Sequence, residues 1–209
     1  MTAQTAASSL PAAASSPELQ PLRYSAVAIA LHWAIAGLII FNLIVGSIME
    51  SFPPPSRFLL VGTHAIAGVL VLVLSVMRVL WRLSHRPPPL AADMSAWERN
   101  LAHAVHFALY LMMLVMPLIG WAILSAHAPR PGHGIPLVGP LELPPFGFIS
   151  RWQDPFQKHM HDRFVGLHET GGWIMLGLLL LHVAGALKHQ WIDRHAELAR
   201  MGVGRVRPR

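Results

Sequence analysis

Thirteen histidines occur in this chain, and several lie inside long runs of apolar residues. An ionisable side chain inside an apolar span is costly, so each is a candidate functional residue. Imidazole is also a common metal ligand and the usual axial ligand of haem iron. The chain has no cysteine, which excludes thiolate sites and iron–sulfur clusters. The candidates are His32, His64, His103, His106, His168, His182 and His189.

Two of these histidines share one predicted helix. His168 and His182 are 14 residues apart, about 21 Å along a helix axis and within about 40° of the same face. One helix can therefore supply ligands at two depths. The economical pairing joins His64 with His168 at one level and His32 with His182 at the other. This pattern predicts two b-type haems stacked across a membrane as a relay for electrons.

Three further residues near these levels leave alternatives open. His106 competes as a ligand at the level of His182, and His103 does so less strongly. Arg78, 14 residues after His64, is a candidate partner for haem propionates. The alternative for Arg78 is an anchor at the membrane interface.

Small and flexible residues also recur at the histidine levels. Met175, midway between His168 and His182, is predicted to pack in the core rather than to bind a metal. Four glycines lie one turn or 14 residues from a histidine and would leave room for a flat porphyrin, with ordinary helix packing as the alternative. They are Gly46, Gly68, Gly120 and Gly172.

Four uncharged apolar runs must position these residues, and each approaches or exceeds the ~18 residues that indicate a membrane span. The runs are Tyr24 to Met49, Phe58 to Met77, Leu101 to Pro129 and Thr170 to Leu187. Hydrophobic residues make up 54% of the chain and charged residues only 12%, against about 25% charged in soluble domains. The predicted fold class is therefore all-α, an integral membrane four-helix bundle. We expect its helices at about 24–49, 58–83, 101–126 and 165–190, within one domain spanning 23–191.

The remaining segments are predicted to be tails and connections. Residues 1–22 are rich in Ala, Ser and Pro and are expected to form a disordered N-terminal tail, while 192–209 form a basic tail. Three polar residues provide start signals for the third helix, namely Asp93, Ser95 and Glu98. The third connection, about 130–164, is long and rich in Pro and Gly, and its segment Asp154 to Phe164 is a candidate short surface helix.

The charge distribution bears on partners and orientation. The formal net charge is +6, but the cations flank apolar spans instead of forming a stripe on a soluble face, so nucleic acid is not expected. Eleven of the 16 lysines and arginines lie on the side that carries both termini. The positive-inside rule therefore predicts a multi-pass protein of the bacterial inner membrane with both termini cytoplasmic.

The apolar runs also carry motifs of a known family. They contain YSAVAIALHW, VGTHAIAGVLVLVLSVMRVLWRL, LAHAVHFALYLMMLVMPLIGW and LHETGGWIMLGLLLLHVAGALKHQW. In these motifs the chain resembles the bacterial cytochrome b561 family, small dihaem, quinone-linked membrane proteins of four helices. The resemblance covers about Arg23 to Trp191. It implies two haems b whose axial ligands are His32, His64, His168 and His182.

The resemblance also implies a function. One branch of the family, to which this chain looks close, oxidises superoxide at the outer face and reduces ubiquinone in the membrane. The alternative branch adds a helix and serves as the cytochrome b electron-transfer subunit of a hydrogenase or dehydrogenase, with a redox partner protein. The four-helix count favours the first branch. A histidine-rich metal transporter is a further rival, but the spans lack the paired carboxylates that would favour it.

Two groups of residues are candidates for the substrate contacts of such an enzyme. A basic cluster precedes His168 and could attract an anion such as superoxide, with a solvated loop as the alternative. Its members are Arg151, Lys158, His159, His161 and Arg163. On the other side, His189 lies seven residues beyond His182 and could hydrogen-bond a quinone carbonyl and deliver a proton. An interfacial anchor is the alternative for His189.

Overall fold

The computed structural model describes residues 23–89, 94–127, 133–194 and 197–204, so the predicted tail over 1–22 lies outside the described residues. Its main elements are four helices, each long and apolar enough to cross a membrane. They are α1 (Ala26–Ile48), α2 (Ser56–Ser84), α3 (Ala96–Ala126) and α4 (Phe156–Trp191). Helices that follow one another in sequence pack side by side. The predicted all-α, four-helix architecture is therefore confirmed.

Polar residues begin the helices where the chain leaves a connection. Ser25 accepts a hydrogen bond at Oγ from the Ala28 N–H (3.3 Å) and caps α1. Ser95 and Glu98 form a capping box at the start of α3. The Ser95 side chain accepts from the Glu98 backbone N–H, and the Glu98 side chain accepts from the Ser95 backbone N–H. Both residues were predicted start signals. The third, Asp93, lies outside the described residues.

The helices extend beyond the apolar runs. Helix α3 begins at 96 rather than at about 101, and α4 begins at 156 rather than at about 165. The segment from Asp154 to Phe164, expected as a separate surface helix, supplies the first turns of α4. Polar residues lower the mean hydropathy of a segment, so a hydropathy-based prediction leaves that segment out of the span. They do not interrupt the backbone hydrogen bonds of a helix.

The main core lies between the two histidine levels. Met175 of α4 is only 5% exposed, which confirms its prediction as a core residue. It packs with apolar side chains from the other three helices, namely Ile35, Ile39, Val71 and Met113. All four helices thus contribute side chains to this core, and the core separates the two histidine levels.

The long third connection is folded against the ends of the helices. It contains an antiparallel pair of short strands, β1 (Ile135–Pro136) and β2 (Glu142–Leu143). The backbone N–H of Phe146 donates to Ser125 Oγ (2.9 Å), and Trp121 Nε1 donates to the Pro144 carbonyl (2.7 Å). Ile149, 2% exposed, packs in a second apolar cluster at the end of α3.

A short helix follows α4 and lies against the start of α1. This helix, α5, covers Glu197–Arg200. Trp33 Nε1 donates to the Met201 carbonyl (2.9 Å), and the Tyr24 N–H donates to the Arg200 carbonyl (3.2 Å). Residues 197–204, part of the predicted basic tail, are therefore docked on the bundle. Residues 195–196 and 205–209 of that tail lie outside the described residues.

Candidate functional site

The four histidines selected from the sequence meet in two pairs. His64 of α2 faces His168 of α4 with ring centroids 5.9 Å apart, and the rings are inclined by 71°. His32 of α1 faces His182 of α4 with centroids 6.2 Å apart and an inclination of 65°. We refer to them as the outer and inner pairs. Helix α4 thus contributes one ring to each pair, as its 14-residue spacing predicts.

The ring separations suit a metal held between two imidazoles. Two rings on opposite sides of one metal, with metal–nitrogen bonds of about 2.0–2.1 Å, have centroids roughly 6.4 Å apart. The observed 5.9 and 6.2 Å are within a few tenths of an ångström of that arrangement. The side chains of both pairs therefore fit bis-imidazole ligation of haem iron.

A third histidine lies at the inner level. The ring of His106 is 5.1 Å from that of His182, with an inclination of 79°. Its Nδ1 is 2.6 Å from the Ala102 carbonyl of its own helix, so Nδ1 donates there and Nε2 carries the lone pair. His103, the weaker competitor, is exposed, and no ring contact of His103 occurs among the described residues.

Arg78 lies beside the inner pair and connects three helices. Its Nη1 donates to the Ala28 carbonyl of α1 (2.7 Å), and its Nε donates to the Tyr110 hydroxyl of α3 (3.1 Å). These bonds hold a cation next to the inner histidines, where an anionic propionate could pair with it. Tyr110 was not selected from the sequence, because one tyrosine in an apolar helix gives no spacing signal.

The outer pair has neighbours that sequence reasoning missed or interpreted differently. Asn42 of α1 contacts the helical turn that begins at His64, and its amide within an apolar run was a usable signal. Gly46 and Gly120 lie against the two histidine rings themselves. Among the other predicted glycines, Gly68 lies near Asn42, whereas a side chain at Gly172 would meet nothing within 4 Å.

Comparison with known proteins decides the family. A family model described as prokaryotic cytochrome b561 matches residues 23–204. The chain belongs to the prokaryotic cytochrome b561 family. It is therefore a bacterial membrane protein that takes part in electron transfer, and the family implies haem b as its cofactor.

Curated relatives are similar over most of their length. The chain is 29% identical over 183 residues to "Cytochrome b561 homolog 2" of Escherichia coli (strain K12), covering 87% of this chain and 92% of that protein. It is 26% identical over 183 residues to "Probable superoxide oxidase CybB" of Yersinia pestis, covering 86% and 95%. It is 27% identical over 192 residues to "Cytochrome b562" of Cereibacter sphaeroides, covering 89% and 96%.

In this cytochrome b561 family member, a charged cluster joins α3 and α4 at the inner end. Lys188 Nζ lies 2.6 Å from Glu98 Oε1 and 2.8 Å from Asp193 Oδ2. His189 Nδ1 lies 2.6 Å from the same Asp193 oxygen. The Lys188 ammonium, followed by His189, lowers the pKa of the Asp193 carboxyl below its ordinary value. Asp193 is therefore ionised at neutral pH and accepts from both neighbours.

The predicted basic cluster of the cytochrome lies at the opposite end, around the start of α4. Four of its members are exposed, namely Arg151, Lys158, His159 and Arg163. His161 is half-buried, and its ring is 5.8 Å from that of His127 at the end of α3. Acidic residues are interspersed, since Asp162 lies 3.2 Å from His161 Nδ1. The exposed face nevertheless presents several cations to the solvent.

Proposed function

We propose that this protein is a dihaem cytochrome of the bacterial inner membrane that oxidises superoxide at its outer face and reduces ubiquinone. The observation that carries the proposal is the pair of facing histidines at each of two levels, 5.9 and 6.2 Å apart. His64 and His168 would hold one haem b, and His32 and His182 the other. Both termini are proposed to be cytoplasmic, because most cations lie on their side.

Bound haem would supply one-electron reduction and oxidation at each level. Each haem would be held by two histidines of this chain, so superoxide and quinone would exchange electrons with it without binding the iron. The chain's own residues then have three tasks. They keep the two levels apart through the Met175 core, attract the donor at the outer face, and supply protons at the inner face.

The proposed reaction balances with two superoxide anions per quinone. Each superoxide loses one electron and leaves as O₂. One ubiquinone gains the two electrons and two protons and leaves as ubiquinol. The protons enter on the inner side, so charge moves across the membrane in each turnover. One relative described as a probable superoxide oxidase, at 26% identity, supports this choice of donor.

The outer face has the electrostatic character that an anionic donor needs. Arg151, Lys158 and Arg163 are exposed, and a positive surface raises the rate at which a small anion arrives. The ring of His168 lies five residues beyond Arg163 on α4, about 7.5 Å along the axis. Lys158 and Arg163 therefore lie on the same helix as the proposed outer-haem ligand, within three turns before it.

The inner face has groups able to hold and move protons. His189 donates through Nδ1 to Asp193, and Lys188 connects that carboxylate to Glu98. The His189 imidazole lies about 10 Å along α4 from His182. We assign to it the role of hydrogen-bonding a quinone carbonyl and passing it a proton taken from the aqueous side.

The decisive experiment compares two charge-neutralised variants of the purified holoprotein. Replacing Arg151, Lys158 and Arg163 by Gln should lower the rate of haem reduction by superoxide roughly threefold to tenfold and flatten its salt dependence, because steering acts over a Debye length of ~10 Å at 0.1 M salt. The matched control removes the same charge from the inner side through Arg23→Gln, Arg86→Gln and Arg194→Gln. It should behave like the parent.

The acceptor side is tested by His189→Ala. Superoxide should still reduce the haems of this variant, while quinone reduction slows, because His189 acts after both haems. If superoxide reduces the parent no faster than a neutral one-electron donor does, and both charge variants behave alike, the superoxide assignment is wrong. The protein would then be an electron-transfer subunit that takes electrons from a partner protein.

A further inference from the structure

We propose that the two outer histidines are positioned by matching seats on the neighbouring helices. Each seat consists of a backbone carbonyl facing the ring Nδ1 and a glycine four residues later, against the ring Cε1. Asn42 and Gly46 of α1 form the seat of His64, and Met116 and Gly120 of α3 form the seat of His168. This inference rests on the proposed ligation of an outer haem by these two histidines.

The glycine contacts are nearly identical in the two seats. A Cβ added at Gly46 would lie 3.3 Å from His64 Cε1 and 3.7 Å from Nδ1. A Cβ added at Gly120 would lie 3.2 Å from His168 Cε1 and 3.7 Å from Nδ1. Both shorter distances are closer than ordinary van der Waals contact, so each ring occupies the space that a side chain would fill.

The carbonyls complete the seats on the nitrogen side. Nδ1 of His64 and Nδ1 of His168 are buried, and the backbone groups beside these two imidazoles are those of Asn42 and Met116. Neither Nδ1 makes a hydrogen bond of full geometry within the described residues, so the neighbouring carbonyl is the acceptor proposed for it. A ring that donates through Nδ1 is held in the tautomer whose Nε2 lone pair can bind a metal.

Asn42 holds the backbone of its histidine as well. With its amide oriented to satisfy both bonds, Nδ2 donates to the His64 carbonyl (3.2 Å) and the oxygen accepts from the Gly68 N–H (3.1 Å). The helical turn from His64 to Gly68 is thereby tied to α1. An amide in an apolar span is costly unless it is satisfied, and here it stabilises the turn that presents the ring.

Seats of this kind are confined to the outer pair within the described residues. Five other glycines of α1 and α4 have nothing within 4 Å of an added Cβ, namely Gly37, Gly166, Gly172, Gly177 and Gly185. Gly185 lies three residues from His182 of the inner pair and still has open space. At Gly46 and Gly120 the atoms that meet an added Cβ belong to a histidine ring, whereas at Gly171 of α4 they belong to methionine side chains.

The first test uses these glycines as matched controls. Gly46→Ala and Gly120→Ala should each lower the outer-haem content about twofold or more and move the low-spin EPR g values of the outer haem, because the ring must turn or retreat. Gly37→Ala and Gly177→Ala make the same chemical change in open space and should leave both readouts at parental values. Inner-haem spectra should not change in any of the four variants.

The second test distinguishes a seat that positions the histidine from a glycine that only leaves space for a porphyrin. It remains valid even if a glycine variant does not fold. Asn42→Ala should move the EPR g values and the reduction potential of the outer haem, because it frees the turn that carries His64. Asn100→Ala, at an exposed position of α3, is the control. If Asn42→Ala matches Asn100→Ala, or the seat glycines match their controls, the seats are disproved.

His64→Ala and His168→Ala separate this failure from failure of the proposed function. If both variants keep the outer haem, the proposed ligands are wrong and the seats lose their purpose. If both variants lose it while the seat and control glycines behave alike, the ligand assignment stands and only the seats are wrong.

Discussion

At the scale of single residues, two histidines at the inner level are equally good candidates by their spacing along the chain. The distance between ring centroids distinguishes them. His32 and His106 both approach His182, at centroid distances of 6.2 and 5.1 Å. Only the longer distance matches the 5.9 Å of the outer pair and leaves room for an iron with two bonds of about 2 Å. His106 also donates through Nδ1 to its own helix. It is better suited to a polar contact at the edge of the inner site.

This comparison predicts which substitutions remove which haem. His32→Ala and His182→Ala should each abolish the inner haem and keep the outer one, since one of two axial bonds is lost. His106→Ala should retain both haems. Haem-to-protein ratios and reduced-minus-oxidised spectra measure the outcome. Loss of the inner haem in His106→Ala, with retention in His32→Ala, would exchange the roles of these two residues.

At the scale of elements, α4 has more functions than a membrane span requires. Its 36 residues extend about 54 Å, well beyond the ~30 Å of a hydrocarbon core. The additional turns at its start carry Lys158 and Arg163, and the turn at its end carries Lys188 and His189. One rigid element therefore connects the outer cationic surface, both histidine levels and the inner charged cluster.

The inner end of α4 provides a pH-dependent prediction. Because Lys188 and His189 lower the pKa of Asp193 below its ordinary value of 3.8, the carboxylate stabilises this end at neutral pH, and the effect is lost as pH falls through the lowered value. In Asp193→Asn, amides near the end of α4 should exchange roughly twofold to fivefold faster at pH 7. Hydrogen exchange followed from pH 7 to well below pH 3.8 should show the difference between parent and variant narrowing as the carboxylate is protonated.

The opposite end of α4 supplies the control for that test. Asp162→Asn removes an exposed carboxylate at the opposite end of α4 and should leave exchange near Asp193 unchanged. A difference between parent and Asp193→Asn that does not narrow as the pH falls below 3.8 would show that the amide alters the helix end by another route than charge.

Hydropathy located the four helices but not where they begin. Glu98 lies before the apolar run of α3 yet caps the first turn of that helix, and Lys158 lies within α4 rather than in a loop. Helix continuation depends on backbone hydrogen bonds and capping, whereas hydropathy reports only contact with lipid. The capping box at Ser95 could be predicted from the sequence, because its two residues are only three positions apart.

At the scale of the whole molecule, the bundle holds two pairs of facing histidines at separate levels. The histidines of α4 are 14 residues apart, about 21 Å along the axis, with the Met175 core between them. The outer loop covers the ends of α3 and α4, and the docked α5 segment lies against the start of α1. Each end of the bundle thus carries a folded segment of its own.

The absence of cysteine makes the orientation directly testable. Lys158→Cys should react with a membrane-impermeant maleimide in intact cells, because the start of α4 is expected to face the periplasm. Arg86→Cys, between α2 and α3, should react only after the membrane is opened. Labelling of Arg86→Cys but not of Lys158→Cys in intact cells would reverse the orientation and exchange the faces assigned to both substrates.

The sequence by itself determined the four spans through their hydropathy and the family through its motifs. It also determined the two histidine levels, because rise and rotation per residue set every position along one helix. Only the tertiary structure decided that His32, and not His106, faces His182 at a separation like that of the outer pair. It also decided that Gly46 and Gly120 lie against imidazoles and that the third connection folds onto α3. These contacts join different helices. Their distances depend on how side chains interlock across a helix pair, and no spacing within a single run encodes that geometry.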